Sequence, residues 1–555
     1  MIILGVSHGH DAGAALYIDG EIVVAITDER LSRIKKSFGL MGVTIPLKSI
    51  NYCLDYAEIT MDDVDYVIYN ITQPQPNMLK SLHYHYGYDL NKVRYVPHHL
   101  AHAATSVFTS NMDECGVIVS DAMGEDLFHD SPGLSYFEDI GFDFEHPDND
   151  YRLSEGWSLY HFNNNQFDRI EKKWITVTSL NHKPTSDISL GILYSLGADQ
   201  LVGGVQISNA GRLMGLASYA DKEWVSKQSF NHTVENDFLN IKNELFFPEV
   251  KLENPFQERA NIAGLYQREQ EEVINFFVDK IKRVTKTENI TVGGGSFLNC
   301  NTNTNIVKSG LFSNSHFYAA ADDSGIPLGC ALYGAYCYDQ PIRKEFFSPY
   351  LGREYSREEI VESLNSYGWL RYIEYDNFDE LTDIVTDYIL ENKTVGWFQG
   401  RSELGPRALG NRSILANPSC GWMVEYINSE IKKREWYRPF APSVLHEHQS
   451  EIFDLDYFSP YMLLTANVKE EWKKKIPAVT HIDGTSRYQS VTPETNSRYY
   501  QLISKFNDKT GVPLLLNTSF NGPNEPIVES PWDAINTFLN EGLDILVLGD
   551  FVITK

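Results

Sequence analysis

A chain of 555 residues exceeds the size at which one hydrophobic core stops growing, so its length predicts two domains. Hydrophobic residues make up 42% and charged residues 22%, which is ordinary for a soluble globular protein. The formal charge of -28, from 75 acidic and 47 basic residues, argues against broad binding to nucleic acid or anionic membranes but allows a local basic cleft.

The cysteines and apolar runs indicate a cytoplasmic protein. Six cysteines form no CxxC pair and no dense framework, so we expect reduced thiols. No run reaches the roughly 18–20 apolar residues of a membrane span. The first residues also lack the basic and apolar regions of a signal peptide. We therefore expect a cytoplasmic location and no membrane partner, while the oligomeric state stays open.

The first half of the chain predicts an α/β domain that opens with a hairpin. An apolar run at residues 2–7 is followed by two strands joined at an Asp-Gly pair, residues 19–20, which is a strong hairpin signal. Strands are also predicted at Val67–Tyr69 and Val117–Ser120, with a helix over HLAHAATSVFTS before the second of them. Residues 139–182 are polar and aromatic-rich with little periodicity, so we predict an insertion or loops near a binding surface.

Glycine-rich segments follow in the same half. The segment NAGRLMGLASYA, residues 209–220, has a glycine spacing that could wrap a nucleotide. Glu271–Val284 predicts an amphipathic helix. Its apolar face carries Val273, Phe277, Ile281 and Val284. A predicted strand, Ile290–Val292, then leads into GGGSFLNC, where the backbone could approach adenosine or phosphates, although a purely structural turn explains the glycines equally well.

His98 and His102 are candidate metal ligands. Their spacing in HHLAH puts both imidazoles on one face of the predicted helix, although a histidine pair without metal is the alternative. Asp121 closes the next strand, where its carboxylate would point into the same cleft. Two histidines and a carboxylate suit Fe(II) or another borderline divalent ion, zinc included. Asp323 starts an apolar helix and is either a fourth ligand or an N-cap.

The character of the chain changes near residue 345. We therefore predict a first domain over residues 1–344 and a second α/β domain over 345–555. Ser356 and Glu359 form a capping box that opens a helix of the second domain. Its other predicted elements are helices at Phe378–Asn392 and from Ser530 to Gly542, and strands at Thr394–Phe398, Val512–Leu516 and Ile545–Leu548.

The stretch QGRSELGPRALGNRS, residues 399–413, predicts an anion site. Arg401, Arg407 and Arg412 alternate with glycines there. Arginine presents a planar fork of donors that fits two oxygens of a phosphate or carboxylate, and glycines let backbone N–H groups approach an anion. The alternative is a surface loop whose arginines pair with the plentiful carboxylates.

Further polar segments of the second domain could converge on a phosphate and a planar amide. Lys432 and Arg438 lie in KKREWYRPFAP, and Arg487 lies in GTSRYQ. Asn517 and Ser519 follow the predicted buried strand Val512–Leu516. Because these residues border apolar strands and Gly or Pro turns, a binding site is favoured over a solvated face.

Together these stretches resemble the NodU/CmcH-type O-carbamoyltransferase family, which acts on nodulation factors and antibiotics. The resemblance covers nearly the whole chain through HGHDAGAALYIDG, HHLAHAATSVF, GRLMGLASYA, GGGSFLNCNTN, ADDSGIPLGCALYGA, GWFQGRSELGPRALGNRS, KKREWYRPFAPSVL and LLLNTSFNGPNEPIV. It implies an N-terminal actin-like (ASKHA) ATPase-type domain related to the tRNA threonylcarbamoyl-transferase subunit. A C-terminal YrdC-like α/β domain would follow.

The resemblance also implies a reaction. The YrdC-like half would make carbamoyl adenylate from carbamoyl phosphate and ATP, with Mg²⁺ accompanying the ATP. The N-terminal half, carrying a divalent metal such as Fe(II), would transfer the carbamoyl group to a hydroxyl of a small-molecule acceptor. The expected partners are therefore carbamoyl phosphate, ATP and that acceptor, and nucleic acid is not expected.

Site residues follow from the resemblance by motif. The carbamoyl phosphate site would comprise Arg407, Lys432, Arg438, Arg487, Asn517 and Ser519. The metal would be held by His98, His102, Asp121 and Asp323. The nucleotide in the first domain would contact Gly211, Gly215, Gly293, Gly294, Gly295 and Asn299. Apart from the resemblance, our hypothesis is that a neutral His10, or Asp11, takes the proton of the acceptor hydroxyl.

Two other functions are compatible with the sequence. A tRNA threonylcarbamoylation enzyme has relatives of both domains, but it needs a basic surface that the overall charge disfavours. A non-catalytic actin-like module with a regulatory second domain would bind ATP without releasing pyrophosphate in response to carbamoyl phosphate. The sequence identifies neither the acceptor nor the metal.

Overall fold

The computed structural model describes residues 1–37, 45–71, 76–124, 134–136, 151–178, 188–203, 209–242, 255–343 and 345–555. The chain divides into two compact units. The first comprises Met1–Asp28 and Lys36–Phe347, and the second comprises Glu29–Lys35 and Ser348–Lys555. The sequence assigned residues 29–35 to the first domain, so their membership of the second unit corrects that assignment.

Backbone carbonyl groups of the second unit explain the position of residues 29–35. Arg30 Nη2 donates to the carbonyl oxygen of Gly405 at 3.0 Å. Arg33 donates from Nη1 to Ile527 O at 2.8 Å and from Nη2 to Pro526 O at 3.0 Å. These carbonyls belong to residues more than 370 positions further along the chain than the arginines that donate to them. Sequence periodicity carries no signal for contacts over such a separation.

Strands and helices alternate through the first unit. Its strands are β1 (Ile2–His8), β2 (Gly13–Ile18), β3 (Glu21–Thr27), β4 (Tyr66–Ile71), β5 (Val93–Tyr95), β6 (Cys115–Ser120), β7 (Ser135–Tyr136), β8 (Tyr151–Asn163), β9 (Gln166–Thr178), β10 (His232–Glu235), β11 (Phe238–Ile241), β12 (Asn289–Gly293) and β13 (Asn314–Phe317). After α1 (Asp28–Ser32), which begins at the unit boundary, its helices are α2 (Leu47–Tyr56), α3 (Pro76–Tyr86), α4 (His98–Phe108), α5 (Leu190–Val202), α6 (Ala210–Ala217), α7 (Lys222–Ser226), α8 (Pro255–Thr285), α9 (Cys300–Lys308) and α10 (Ile326–Cys337).

Two mixed sheets form the framework of the first unit. One has the strand order β3-β2-β1-β4-β5-β7 and the other β13-β12-β6-β8-β9. β1 runs parallel to β4, and β6 runs parallel to β12. Helix α10 packs on β1, β2 and β4, whereas α4 packs on β6, β8 and β12. The two helices also pack against each other. The predicted metal ligands on α4, His98 and His102, and Asp323 just before α10 therefore lie between the sheets.

The contact between α4 and α10 depends on Gly329. A Cβ atom at this position would lie 2.1 Å from the carbonyl oxygen of Ala101 and 2.5 Å from Thr105 Oγ1. The Thr105 hydroxyl donates to the carbonyl oxygen of Gly325 at 2.8 Å, which ties the same two helices together. The close approach therefore fixes the distance between α4 and α10.

Residues 151–178 form a long antiparallel hairpin and not the predicted loops. β8 and β9 pair along their length, and Asn164 and Asn165 form the turn with φ values of 50° and 57°. Asparagine tolerates this left-handed conformation, which two-residue hairpin turns require. The Asn-Asn pair was therefore the sequence signal for this hairpin turn. It was not recognised because polar and apolar residues alternate only weakly in the flanking strands. Residues 139–150 and 179–182 of the predicted insertion lie outside the described residues.

Helix α8 contains the predicted amphipathic helix and begins earlier. Val273, Phe277 and Ile281 are buried as predicted. Val284 is 50% exposed, contrary to its predicted place on the apolar face. It lies in the last turn of the helix, one residue before the end at Thr285, where less of the unit covers the helix.

The second unit contains one large sheet with helices around it. Its strands are β14 (Arg371–Glu374), β15 (Val395–Phe398), β16 (Arg412–Ala416), β17 (Ala441–Leu445), β18 (Leu464–Asn467), β19 (Thr485–Val491), β20 (Leu514–Ser519), β21 (Ile545–Leu548) and β22 (Phe551–Thr554). Its helices after α1 are α11 (Arg357–Asn365), α12 (Phe378–Leu390), α13 (Met423–Tyr426), α14 (Gln449–Ile452), α15 (Glu470–Lys473), α16 (Pro493–Thr510) and α17 (Pro531–Asn540).

The strand order of this sheet is β14-β22-β21-β15-β16-β20-β17-β19-β18. The predicted capping box is present, because Glu359 N donates to Ser356 Oγ and Ser356 N donates to the Glu359 carboxylate. Mixed sheets with helices in both units confirm the α/β class, while the actin-like and YrdC-like assignments stay predictions. None of the described helices has the length and apolarity needed to cross a bilayer.

Candidate active site

Four side chains from distant parts of the first unit meet at one point. His98 and His102 lie on the first turns of α4, Asp121 follows β6, and Asp323 precedes α10. One ligand atom from each of these residues lies within 4.8 Å of all the others. We call these four residues the metal-ligand cluster. The structure thus brings together every residue that the sequence proposed as a metal ligand.

The tautomer of His98 suits metal binding. Asn70 Nδ2 donates to the carbonyl oxygen of Val96 at 2.8 Å, so Asn70 Oδ1 is the acceptor that faces His98 Nδ1 at 3.0 Å. The proton of a neutral imidazole is then held on Nδ1. The lone pair of Nε2 faces Asp121 Oδ2 at 3.3 Å. Two acceptors facing each other require a proton or a metal ion between them.

His102 completes the same donor set. Its Nε2 lies 3.5 Å from Asp121 Oδ2 and 3.3 Å from Asp323 Oδ1. This nitrogen is buried and makes no hydrogen bond of good geometry with the described residues. Two imidazoles and two carboxylates around a buried nitrogen of this kind fit a borderline divalent cation such as Fe(II) or Zn²⁺.

The pKa shifts within the metal-ligand cluster also indicate that its two carboxylates favour a positive charge between them. Burial alone would lower the pKa of His98, but the charges of Asp323 and Asp121 outweigh it and raise this pKa well above its usual value. Burial likewise opposes ionisation of Asp323, yet His98 and His10 hold its pKa well below the usual range. A divalent ion would take the place of the imidazole protons, because metal binding and protonation compete for the same lone pairs.

The triple glycine packs against this cluster. Gly294 has a φ of 96°, and a Cβ atom there would lie 2.2 Å from Ser120 O. A Cβ atom on Gly293 would lie 3.0 Å from the carbonyl oxygen of His102. Gly295 N donates to Asp121 Oδ1 at 3.0 Å, which leaves Oδ2 toward the histidines. The close approach to the metal-ligand cluster is sufficient to require these glycines, and their contact with a nucleotide stays a proposal.

The other predicted nucleotide residues lie on different elements. Gly211 and Gly215 lie in α6, where Gly215 is buried and the Cβ position of Gly211 is open. Asn299 is buried, and its Oδ1 accepts from Thr302 N at 3.3 Å and thereby caps α9. Asn299 Nδ2 donates to Gln267 Oε1 at 2.8 Å. The structure therefore gives Asn299 a role within the protein, and nucleotide contact at these positions stays a prediction.

His10 and Asp11 lie beside the metal-ligand cluster. His10 Nδ1 is 3.0 Å from Asp11 Oδ2, and its Nε2 is 3.4 Å from Asp323 Oδ2. Burial opposes charge on His10, but Asp323 and Asp11 outweigh it and raise its pKa to about 9. Lys36 Nζ lies 2.5 Å from Asp11 Oδ2 and 3.6 Å from Asp322 Oδ2. Sequence reasoning missed Lys36, since no motif connected it to the opening turn.

Lys432 is the central cation of the second unit. It is only 6% exposed, and its Nζ donates to Asn521 Oδ1 at 2.7 Å and approaches Ser519 Oγ at 3.3 Å. It also donates to the carbonyl oxygen of Ser519. The predicted pair Lys432 and Ser519 is thus in contact. Asn521 was missed, although NTSFNG placed it two residues beyond Ser519.

More cations surround Lys432 than the sequence proposed. Burial lowers the pKa of Lys432 well below its usual value, and the nearby charges of Arg434, Lys35 and Arg438 lower it further. Burial also lowers the pKa of Arg434, together with the charges of Arg438 and Arg487. We call these five residues the cation cluster. Sequence reasoning missed Lys35 and Arg434, because Lys35 is nearly four hundred positions away and Arg434 was not singled out within KKREWYRPFAP.

A buried asparagine holds two members of the cation cluster. Asn428 lies in a π-helical turn, Ile427–Ile431, and is 1% exposed. Its Oδ1 accepts from Arg434 Nε at 2.7 Å, and its Nδ2 donates to the carbonyl oxygen of Arg438 at 3.0 Å. The loop that carries both arginines is therefore fixed by one side chain.

Asn517 links the arginine-rich loop to the sheet. Its Nδ2 donates to the carbonyl oxygen of Ala408 at 3.1 Å, so the backbone next to Arg407 lies beside β20. Gln489 Nε2 donates to the carbonyl oxygen of Leu409 at 2.8 Å and anchors the same loop to β19. The structure thus brings the loop of Arg407 to the strand face that carries Asn517 and Ser519.

The other two arginines of this loop have structural roles, which corrects the prediction that they form an anion site. Arg412 is fully buried, and its Nη1 donates to Gln399 O at 2.7 Å. Its guanidinium lies 3.6 Å from the ring centroid of Phe398. Arg401 donates from Nη2 to Leu351 O at 2.9 Å. Carbonyls buried by a tight glycine-rich loop need donors, and these arginines supply them.

Comparisons with known proteins identify the family of the chain. The family model for the carbamoyltransferase N-terminus matches residues 2–80 and 76–332, and that for the carbamoyltransferase C-terminus matches residues 386–555. Nodulation protein NolNO of Sinorhizobium fredii is 32% identical over 98% of this chain and 79% of its own. The 3'-hydroxymethylcephem-O-carbamoyltransferase of Amycolatopsis lactamdurans is 30% identical over 62% of this chain and 65% of its own.

Similarity to solved structures is weaker. HypF of T. kodakarensis aligns with a TM-score of 0.40 and 12% identity, over 62% of this chain and 48% of that chain. At this level the alignment supports no functional inference. The family therefore rests on the family models and the sequence relatives.

Proposed function

The chain belongs to the carbamoyltransferase family, and from this premise we propose that it is an ATP-dependent O-carbamoyltransferase. In this proposal the second unit, with a YrdC-like fold, makes carbamoyl adenylate from carbamoyl phosphate and ATP. The first unit, with an actin-like fold, transfers the carbamoyl group to a hydroxyl of a small-molecule acceptor. Nucleic acid is not among the proposed partners.

The gathering of like charges around Lys432 is the observation that carries the proposal. A buried lysine with a lowered pKa and three cations acting on it is costly in the free protein. A bound dianion would reverse that cost, because it stabilises every one of these charges. Carbamoyl phosphate carries such a dianion next to a planar amide. Ser519 and Asn517, on one face of β20, offer the polar groups that an amide needs.

The cation cluster would act by binding and polarisation. Lys432, Arg438 and Arg487 would neutralise the phosphate, with Arg407 near the amide end. Water would first cleave the O–P bond of carbamoyl phosphate, which releases inorganic phosphate and leaves carbamate. A carbamate oxygen would then bond to the α-phosphorus of ATP while the bond from that phosphorus to the α,β-bridging oxygen breaks, and pyrophosphate leaves. The fixed cations would lower the cost of charge that moves onto the leaving oxygens.

The metal-ligand cluster would serve the transfer step. His98, His102, Asp121 and Asp323 would hold one divalent ion, and Fe(II) is the first candidate because imidazole and carboxylate ligands suit it. When bound, such an ion supplies Lewis-acid polarisation of the carbamoyl carbonyl.

Asn70 and Gly295 would orient the ligands through their hydrogen bonds to His98 and Asp121. Asp11 would accept the proton of the acceptor hydroxyl. His10 does not fit the predicted role of a neutral base, because its pKa of about 9 keeps it protonated at neutral pH. The segments around Gly211, Gly215 and Gly293–Gly295 would contact the adenylate.

One assay tests the proposal against its alternatives. The protein is incubated with ATP and either carbamoyl phosphate or threonine with bicarbonate, and pyrophosphate is measured. We expect pyrophosphate only with carbamoyl phosphate. Threonine-dependent release would identify a tRNA threonylcarbamoylation enzyme instead. ATP binding with no release under either condition would identify a non-catalytic module.

Replacement of one cluster arginine sharpens the test. Arg438→Ala should reduce carbamoyl phosphate-dependent pyrophosphate release by about 100-fold, because a charge-assisted hydrogen bond to a phosphate contributes roughly 3 kcal/mol. Arg353→Ala is a matched control, since this arginine pairs with Glu359 near the start of α11. Unchanged release by Arg438→Ala would contradict the assignment of the cation cluster.

A further inference from the structure

We propose that Glu403 is a positioning residue that holds Arg407 in place for carbamoyl phosphate, because its own carboxylate fills a nest of backbone N–H groups in the arginine-rich loop. This inference rests on the proposed function and concerns the same site. Glu403 lies within this loop, residues 399–413, and is 1% exposed. A buried carboxylate is costly unless it is hydrogen-bonded, so its partners indicate what it does.

One oxygen of Glu403 accepts three backbone hydrogen bonds. Glu403 Oε1 accepts from Leu409 N at 2.8 Å and from Asn411 N at 2.9 Å. It also accepts from Arg412 N at 3.1 Å. Backbone N–H groups that converge in this way form a nest, which binds anions. The loop that the sequence predicts as an anion site therefore contains such a nest, and a carboxylate of the same loop occupies it.

The peptide between Ala408 and Leu409 is held from both sides. Its N–H group donates to Glu403 Oε1, and its carbonyl oxygen accepts from Asn517 Nδ2 at 3.1 Å. The N–H and C=O groups of a trans peptide point in opposite directions within one plane. The peptide therefore cannot rotate without breaking at least one of these hydrogen bonds, and the backbone directly after Arg407 is fixed.

The backbone before Arg407 has a separate anchor. Arg30 is 3% exposed, and its Nη2 donates to the carbonyl oxygen of Gly405 at 3.0 Å and to that of Glu403 at 3.3 Å. Pro406, the residue between Gly405 and Arg407, has a φ angle fixed by its ring. Arg407 is therefore carried by a short segment anchored at both ends. Loss of the Glu403 anchor would release one end and move the guanidinium relative to the cation cluster.

The negative charge of Glu403 contributes to this anchor. Its Oε2 is buried and has no hydrogen-bond donor in the described part of the chain, so the hydrogen bonds that stabilise the carboxylate are the three at Oε1. Hydrogen bonds to an ionised acceptor are roughly twice as strong as those to a neutral one. A neutral amide in the same place would therefore hold the loop less firmly, and a methyl group would leave the nest empty.

A double-mutant cycle with Arg407 tests the inference, with kcat/KM for carbamoyl phosphate measured from pyrophosphate release. Glu403→Ala should lower this value by about 100-fold, because a shift of about 1 Å in a positioned group can have such an effect. In an Arg407→Ala background, the same replacement should lower it by less than about threefold, since Glu403 acts through Arg407. Glu354→Ala is the matched control, because it removes an exposed carboxylate near Gly400 of the same loop and should change neither value.

Added acetate provides a second measurement. Acetate matches the group that Glu403→Ala removes, so it should bind in the empty nest and restore kcat/KM by at least about tenfold, whereas neutral acetamide should restore less. Acetate should have no effect on Arg407→Ala. Glu403→Gln keeps an acceptor in the nest and should lose less activity than Glu403→Ala, with the same dependence on Arg407. It takes the place of the alanine variant in the cycle if thermal unfolding shows that Glu403→Ala does not fold.

Equal losses on replacement of Glu403 in the wild-type and Arg407→Ala backgrounds would overturn the inference, because they would reveal a role that does not pass through Arg407. Full activity of a folded Glu403→Ala protein, or equal rescue by acetate and acetamide, would also overturn it. In each of these cases the proposed function would stand. If the wild type released no pyrophosphate with carbamoyl phosphate, the proposed function would fail and the inference with it.

Discussion

At the scale of single residues, Lys432 is a cation that the protein holds in an unfavourable state. Burial and the charge of Arg434 both act against its protonation, and its pKa lies well below the usual value. Its contacts with Ser519 and Asn521 fix the amine in place, and the nearby charge of Glu525 favours its protonation without outweighing burial and the other cations. The residue is therefore positioned to respond to an anion.

Carbamoyl phosphate binding should be accompanied by proton uptake at Lys432. The free protein has a lowered lysine pKa, and a bound dianion raises it, so between the two values the complex holds more protons than the free protein. Calorimetric titrations in two buffers of different ionisation enthalpy measure this uptake. Lys432→Met should abolish it. Lys433→Met, which removes an exposed lysine paired with Glu541, should not. Uptake that persists in Lys432→Met would contradict the assignment.

Asn70 should determine how tightly the metal-ligand cluster binds its ion. Asn70→Ala removes the acceptor that holds the His98 proton on Nδ1, so the lone pair of Nε2 is no longer fixed toward the carboxylates. Loss of such an orienting contact usually lowers metal affinity about 10–100-fold. A competition titration of Fe(II) or Zn²⁺ against a chelator measures the change, and Asn91→Ala on an exposed turn is the control. Equal affinities in the two variants would refute this role.

The structure brings together predicted residues whose spacing carries a local signal. His98 and His102 share a helix face because they are four residues apart. Arg401 and Arg412 share the composition of an anion site but bind backbone carbonyls, and composition cannot separate these two roles. Lys35 was missed, because only the folded chain brings it to Lys432.

At the scale of elements, the packing of α10 on α4 determines where the two histidines lie. Gly329→Ala should destabilise the first unit by about 1–3 kcal/mol, because the new methyl group overlaps Ala101 O. Gly211→Ala in α6 is the opposite case, since a Cβ atom there meets nothing and alanine favours a helix by about 1 kcal/mol. Thermal unfolding of both variants tests this contrast. A Gly329→Ala variant as stable as the wild type would show that the helices can move apart.

Long periodic elements could be predicted, and the β8–β9 hairpin could not. Val273, Phe277 and Ile281 repeat at helical spacing, so α8 was identified even though its first half was missed. In β8 and β9, two register shifts interrupt the alternation that identifies a strand. The pairing of these strands is established only by contacts along the folded hairpin.

At the scale of the whole molecule, each unit has its own chemical cluster. The metal-ligand cluster lies entirely in the first unit and the cation cluster entirely in the second. The two half-reactions should therefore be separable by mutation. The sequence predicted the boundary near residue 345, because the linker composition and the capping box at Ser356 mark it locally.

His98→Ala should spare pyrophosphate release and reduce carbamoyl transfer by at least about 100-fold, since Lewis-acid stabilisation contributes several kcal/mol. Carbamoylated product is measured by mass spectrometry with a hydroxymethyl cephem, an aminoglycoside and a nucleoside as acceptors. His448→Ala, an exposed histidine paired with Glu451, is the control. Loss of both half-reactions in a folded His98→Ala protein would contradict their separation.

The seven residues 29–35 limit how such a protein can be recombined with its relatives. A designer who exchanges only the portion after Ser348, in order to alter donor-substrate preference, would keep Arg30 and Arg33 from the host sequence. Those guanidinium groups would then meet foreign carbonyls in place of Gly405, Ile527 and Pro526. A workable chimera must take residues 29–35 and the portion from Ser348 onward from the same parent.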